Sequence, residues 1–151
     1  MEVDVLKMVR SGGDSEYLMM QYEFKDGVNK YLAGANAKVK TLAEVIAFNK
    51  ANEAKAMPYF KQDILELCDE RKGLNEKEYK DALAKSKTAA KLLDEIMVSN
   101  KLDAICSTSY GPANLIDLVH GDYSVGFYFS GPAARAGYPH ITVPMGQVSG
   151  L

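Results

Sequence analysis

The sequence predicts an α/β protein with a helix-rich first two thirds followed by a few strands. Up to residue 100, apolar residues recur at three-and-four spacing, which is typical of amphipathic helices. Beyond residue 100, two short apolar runs, 104–106 and 140–143, predict buried strands joined by a long loop. Because two strands do not form a stable sheet by themselves, we expect the sheet to be incomplete within this chain.

Length, composition and charge exclude several classes of protein. The 151 residues are 47% hydrophobic and 25% charged, as in an ordinary globular domain, and the formal net charge is −2. That charge gives no electrostatic basis for binding nucleic acid or an anionic membrane. No run approaches the ~20 apolar residues of a membrane span, and the first ten residues lack the apolar core of a signal peptide. We therefore expect a cytoplasmic protein with no nucleic acid or membrane partner.

The first two predicted helices have defined starts. The first begins at Asp14 or Ser15 and carries one apolar stripe, expected to face the core: Tyr17, Met20, Gln21, Phe24, Val28, Tyr31 and Leu32. The second opens with a capping box, TLAE at 41–44, in which Thr41 and Glu44 bond each other's backbone amides. It is expected to end before Pro58.

Two more helices complete the first hundred residues. A short one is expected around 62–70, and the longest covers 76–99. The predicted inner face of the longest helix is Tyr79, Leu83, Ala90, Leu93, Ile96 and Met97, with lysines opposite. Cys68 and Cys106 are each interpreted as a lone buried thiol. Two cysteines without a nearby histidine do not make a zinc site, so no metal is expected.

The segment 107–137 is mostly irregular and glycine-rich, with a helical turn at 132–136 closed by Gly137. So long an irregular stretch is usually functional or covered by another part of a protein. Ser107, Thr108 and Ser109 directly follow the first apolar run, at the end of a strand where open α/β sheets place ligands. They are candidates to line a polar pocket; the alternative is that they bond the turn backbone.

The residues themselves identify no catalytic constellation. GDYSVG at 121–126 resembles a nucleophile elbow, but its first glycine is one residue too far from Ser124. A Ser/His enzyme would have to pair Ser124 or Ser130 with His120 or His140, and the sequence gives no reason to expect that geometry. No phosphate-binding glycine loop is present.

Several motifs, in their order along the chain, resemble the later part of amidase signature enzymes. They are LDAICST at 102–108, GPA at 111–113, IDL at 116–118, GPAARAGYP at 131–139, ITVP at 141–144 and GL at 150–151. Segments 22–32 and 41–49 also match helices of bacterial amidases. The resemblance covers essentially the whole chain. It implies that 1–151 is the C-terminal portion of one amidase domain, with 1–100 mainly helical and 101–151 forming strand, loop and strand of a mixed β-sheet.

The resemblance also implies a chemistry. In this family a lysine deprotonates a bridging serine, which activates a nucleophilic serine to attack an amide carbonyl, while backbone amides stabilise the oxyanion. The family carries these groups upstream, so we expect no catalytic residue in this chain and an inactive isolated fragment. No cofactor is implied. The implied partners are the N-terminal half of the parent amidase and, for the parent, a small-molecule or peptide amide substrate.

Six residues are candidates for substrate binding in the parent: Ser107, Thr108, Ser109, Ile116, Asp117 and Tyr128. Two departures from the family pattern affect them. CST at 106–108 lacks the usual proline, and FYFSG at 127–131 replaces a run of serine or asparagine. The pocket is therefore expected to be more aromatic than usual, and substrate preference is not transferred.

The rival hypothesis is a non-catalytic helical interaction module, for which 101–151 would be dispensable for folding.

An incomplete chain would also expose apolar surface and sheet edges, so we expect a homo-oligomer.

Overall fold

The structure, a computed structural model, describes residues 14–111, 113, 116–121 and 128–147. The described helices are α1 (Ser15–Gly34), α2 (Leu42–Ala51), α3 (Glu53–Ala56), α4 (Asp63–Asp69), α5 (Lys77–Ser99) and α6 (Gly131–Ala136). The described residues form two compact units, 14–85 and 86 onward, and the division falls within α5. None of these helices has an apolar stretch long enough to cross a membrane.

The core of the first unit is small. Leu42 and Ile46 of α2 pack with Cys68 of α4, while Val28 and Leu65 lie against this cluster. Leu42 is only 1% exposed. Burial raises the pKa of the Cys68 thiol, and the nearby Arg71 charge opposes that shift. The prediction of a buried thiol is confirmed for Cys68 and wrong for Cys106, which is exposed.

The predicted capping box at the start of α2 is present in a modified form. The Glu44 backbone N–H donates to Thr41 Oγ1 at 3.2 Å, as expected. The Glu44 carboxylate, however, accepts from the backbone N–H of Lys40 at 2.5 Å. A further amide at this helix start, that of Leu42, donates to Asn29 Oδ1 of α1 at 2.8 Å. The start of α2 is thus fixed by its own cap and by a neighbouring helix.

A lysine on α1 fixes the end of α4. Lys25 Nζ donates to the carbonyl oxygens of Asp69 and Arg71, the latter at 2.8 Å, and forms an ion pair with the Asp69 carboxylate at 3.2 Å. The last carbonyls of a helix lack intrahelical partners and carry partial negative charge, which a cation satisfies.

Two tyrosine–glutamate hydrogen bonds join α1 to the beginning of α5. Tyr22 donates to Glu78 Oε2 at 2.5 Å, and Tyr79 donates to Glu23 Oε1 at 2.8 Å. The two tyrosine rings contact each other with centroids 5.6 Å apart and an interplanar angle of 47°. Arg71 lies over the Tyr22 ring, 5.6 Å from its centroid. Both tyrosines are buried.

The buried faces of α1 and α5 differ in part from those predicted. On α1, Gln21 is buried and Val28 lies against the core, as predicted. Four other members of the predicted stripe are exposed: Tyr17, Met20, Phe24 and Tyr31. On α5, Tyr79 and Leu93 are buried as predicted, and the rest of the buried face consists of small residues: Ala82, Ser86 and Ala89. The pattern of apolar residues alone predicts these faces incorrectly, because polar side chains make many of the contacts of α1 and small side chains make those of α5.

In the second unit, α5 ends in a Schellman motif. The backbone N–H of Leu102 donates to the Met97 carbonyl at 2.9 Å, and that of Lys101 donates to Val98 at 3.1 Å. Lys101 has φ 52°, the left-handed conformation that this motif requires. The helical turn predicted at 132–136 is α6, which Gly137 closes with φ 73°. Tyr138, just beyond it, donates to Asp94 of α5.

The predicted α/β fold is wrong for the described residues. They are 56% helical and 2% strand, and they contain no β-sheet. Of the expected strands, 104–106 ends in an exposed Cys106, and in 140–143 the side chains of Ile141 and Val143 are 84% and 70% exposed. Apolar runs supply strand propensity, but a strand forms only where another backbone accepts and donates its hydrogen bonds. The described pairing is a single antiparallel bridge between Tyr110 and Tyr128.

The tyrosine–glutamate pairs predict a loss of stability in alkali. The hydrogen bond to Glu78, then burial, raises the pKa of Tyr22; burial, then the bond to Glu23, raises that of Tyr79. The folded chain therefore holds both protons more tightly than the unfolded chain. This stabilisation is fully present below the ordinary tyrosine pKa of 10.0 and is lost as pH rises through the folded-state values. We expect Tyr22→Phe to reduce the free energy of unfolding by about 1.5–3 kcal/mol at pH 8 and by less above pH 10.

Urea unfolding of the full chain from pH 8 to 11 measures this difference. Tyr59→Phe is the matched control, because Tyr59 is 74% exposed. A Tyr22→Phe deficit that stays constant across this range would contradict the role of the hydroxyl proton.

Candidate functional site

Ser109 and Tyr128, two of the six predicted pocket residues, lie on paired backbone segments. The backbone N–H of Phe129 donates to the Ser109 carbonyl at 3.1 Å, next to the Tyr110–Tyr128 bridge. The rings of Tyr110 and Tyr128 meet edge to face, with centroids 6.3 Å apart and an interplanar angle of 89°. The Tyr128 side chain is 66% exposed, so this pair presents an open aromatic surface.

A hydroxyl contact brings a third segment to the same place. Ser109 Oγ lies 3.2 Å from Thr142 Oγ1. Ser107 and Thr108 are exposed, as is Ile116, at 89%. Ser109, Tyr110, Tyr128 and Thr142 therefore form a group of hydroxyls and aromatic rings, which we call the Ser109 group. The sequence did not predict Tyr110 or Thr142 as members, because only the fold brings 109 and 142 together.

Asp117 organises a tight turn of its own. Its Oδ1 accepts hydrogen bonds from the backbone N–H groups of Val119 and His120, both at 2.9 Å. Its Oδ2 lies 2.9 Å from His120 Nδ1, and its carbonyl accepts from the Gly121 N–H at 3.0 Å. Gly121 has φ 75°, a left-handed conformation that a glycine adopts without strain. Hydrogen bonds from the His120 backbone, the His120 ring and the Val119 backbone lower the pKa of the Asp117 carboxyl.

The Asp117–His120 pair is a feature that the sequence analysis missed. A carboxylate bonded to Nδ1 orients the imidazole ring and leaves Nε2 as the other nitrogen that could exchange a proton, as in a base oriented by an acid. His120 is 82% exposed at its side chain, and the Asp-x-x-His spacing was the signal available for it. Of its suggested serine partners, Ser124 lies outside the described residues, and Ser130 lies at the start of α6.

The first unit has a concave site of about 300 Å³. It is lined by four cationic side chains, Lys25, Lys30, Arg71 and Lys72, and by the Tyr22 ring. Three of these cations already have partners: Lys25 with Asp69, Lys30 with Asp26 at 2.7 Å, and Arg71 with Glu78 at 3.5 Å. The charge of this site is therefore largely compensated.

The fold is similar to solved structures of peptide amidases. The peptide amidase PAM in complex with the competitive inhibitor chymostatin matches with a TM-score of 0.84 and 33% identity over 92% of this chain. PAM12A matches with a TM-score of 0.86 and 34% identity over 93%. The native peptide amidase from Stenotrophomonas maltophilia matches with a TM-score of 0.80 and 30% identity over 92%.

The chain spans 28–29% of the length of these proteins. No protein-family model matches it, and no curated protein does. Shared backbone and identity over nearly the whole chain support a common origin with one segment of the peptide amidases.

The Asp117 turn predicts a titration that depends on His120. Because the His120 ring contributes one of the bonds that lower the Asp117 pKa, His120→Ala should raise that pKa toward its ordinary value of 3.8. The hydrogen bonds from the backbone N–H groups of Val119 and residue 120 remain, so the pKa should return only part of the way to 3.8. The stabilisation of the turn is present above the ordinary pKa and is lost as pH falls through the folded-state value. Carbon-13 NMR of the Asp117 carboxyl between pH 2 and 6 measures the midpoint.

His140→Ala is the matched control, since it removes the other histidine of the chain. Equal Asp117 midpoints in the two variants would show that the ring does not bond the carboxylate in solution.

Proposed function

We propose that this chain is part of an amide hydrolase of the amidase signature family. The observation that carries the proposal is the combination of backbone similarity and sequence identity to peptide amidases over nearly all of the chain. Backbone similarity alone, or sequence identity alone, would support a shared fold. The two together support shared descent and a shared kind of reaction. The chain would be the C-terminal portion of the enzyme.

The proposed reaction is hydrolysis of an amide C–N bond. Water supplies a hydroxyl to the carbonyl carbon and a proton to the departing nitrogen, through an acyl-enzyme on a serine activated by a second serine and a lysine. These three groups would lie in the part of the enzyme outside this chain, and neither metal nor organic cofactor would be needed. The isolated chain would therefore be inactive.

This chain would contribute one wall of the substrate pocket. The Ser109 group offers hydroxyls for the polar part of an amide substrate and an aromatic pair for its apolar part. Asp117 would add a carboxylate, which is ionised at neutral pH as an ordinary aspartate is, and which the turn holds in place. Ser107, Thr108 and Ile116 are exposed and complete the proposed set.

A chimera tests the proposal. This chain replaces the matched segment of the Stenotrophomonas maltophilia peptide amidase, and the product is assayed for release of ammonia from a peptide carboxamide. We expect the chimera to hydrolyse the amide and the isolated chain to release none. In the chimera, Tyr128→Ala should lower kcat/KM by roughly tenfold, because a side chain that binds substrate is removed.

Tyr59→Ala is the matched control, an exposed tyrosine in the first unit. Ammonia release by the isolated chain, or a folded chimera without activity, would contradict the proposed function.

A second candidate function is a non-catalytic helical interaction module. It is favoured by the described fold, in which 14–85 is a helical unit with its own core and the residues from 140 to 147 are exposed. Such a module would not need the segment 101–151.

Truncation after residue 100 separates the two candidates. If the chain is part of a hydrolase, we expect the truncated chain to unfold at lower urea concentration than the full chain, because Tyr138 bonds Asp94 and Leu93 is buried on the retained part of α5. Circular dichroism at the helical signal follows this transition. An unchanged midpoint would favour the interaction module.

A further inference from the structure

Four apolar side chains of α1 form an exposed row, which we call the α1 row. Tyr17, Met20, Phe24 and Tyr31 are 48%, 54%, 43% and 75% exposed. Their spacing of three, four and seven residues puts them on one face of the helix. An exposed, contiguous apolar row on a folded protein marks an interaction surface.

The row has the pattern of a helix–helix seam. Gly27 lies between Phe24 and Tyr31 and completes the alternation of three- and four-residue steps, which is the a/d repeat of helices that pack side by side. A glycine destabilises a helix interior relative to alanine. Here a Cβ at Gly27 would meet nothing within 4 Å, so the structure itself does not need a glycine. A partner backbone approaching closely at this point would need it.

The other faces of α1 are already used within the first unit. Tyr22 bonds Glu78, Lys25 bonds the end of α4, and Asn29 bonds the start of α2. Gln21 is buried and accepts from Arg71 Nε at 2.9 Å. The four members of the α1 row are the large apolar side chains of this helix that remain exposed.

We propose that the α1 row docks against an apolar helix in the part of the hydrolase that lies outside this chain. The inference rests on the proposed function. The matched amidases contain this fold as 28–29% of a single chain, so most of each amidase lies outside the match and is available to cover the row. A second copy of this chain is the rival occupant.

Phe24→Glu tests the docking, in the isolated chain and in the peptide amidase chimera. In the isolated chain the Phe24 side chain is already 43% exposed, so the melting temperature should fall by less than in the chimera. In the chimera a carboxylate would be buried at the seam, and we expect the melting temperature to fall by roughly 5 °C or more. Phe48→Glu is the matched control, because Phe48 lies in α2, is not a member of the row, and is 58% exposed.

Light scattering on the isolated chain completes the test. If the unsubstituted chimera is active and its Phe24→Glu and Phe48→Glu variants melt at the same temperature, the α1 row is not a docking face. The proposed function would not be affected by that result. A homodimer that Phe24→Glu converts to monomer, with no effect in the chimera, would assign the row to a second copy and overturn the proposal. An unsubstituted chimera that does not fold would overturn the proposed function and the docking face together.

Discussion

Two crossed hydrogen bonds hold α1 against the beginning of α5, and much of the first unit depends on them. Tyr22 and Glu23 are adjacent on α1, Glu78 and Tyr79 are adjacent on α5, and each helix supplies one hydroxyl donor and one carboxylate acceptor. Because the partners are 56 residues apart, this contact closes a long loop that contains α2, α3 and α4. Arg71 adds a cation over one ring and a contact to Glu78. Hydrogen bonds to charged groups are stronger than neutral ones, so these two bonds add to the small hydrophobic core.

The same constraint decides which surface of α1 stays open. Polar anchors at Gln21, Lys25 and Asn29 turn the helix toward α2, α4 and the α4–α5 connection. The apolar row of Tyr17, Met20, Phe24 and Tyr31 is consequently exposed. Polar contacts here outweigh the tendency of the larger apolar side chains to be buried. One face of α1 therefore packs within its own unit, and the apolar row, as we propose, docks against the rest of an amidase.

The second unit assembles candidate binding groups without enclosing them. The Ser109 group combines an aromatic pair with hydroxyls from segments that are distant in sequence, and the Asp117 turn fixes a histidine ring through one carboxylate. Tyr128 and His120 nevertheless remain largely exposed. A binding pocket needs walls that exclude water. In the amide hydrolase that we propose, the further walls would come from the part of the enzyme outside this chain.

The Thr41 cap, the approximate ranges of α1, α4 and α5 and the Gly137 stop of α6 can be predicted from the sequence, because caps, periodicity and glycine conformations act within a few residues. The sequence also carried the motifs that resemble amidases. The sequence does not predict which face of α1 is buried, that Thr142 contacts Ser109, or that 140–143 forms no strand. These outcomes depend on partners far along the chain. A pattern of apolar residues indicates that burial of a segment would be favourable. Whether the segment is buried depends on the packing and on the backbone hydrogen-bond partners that the fold brings near it.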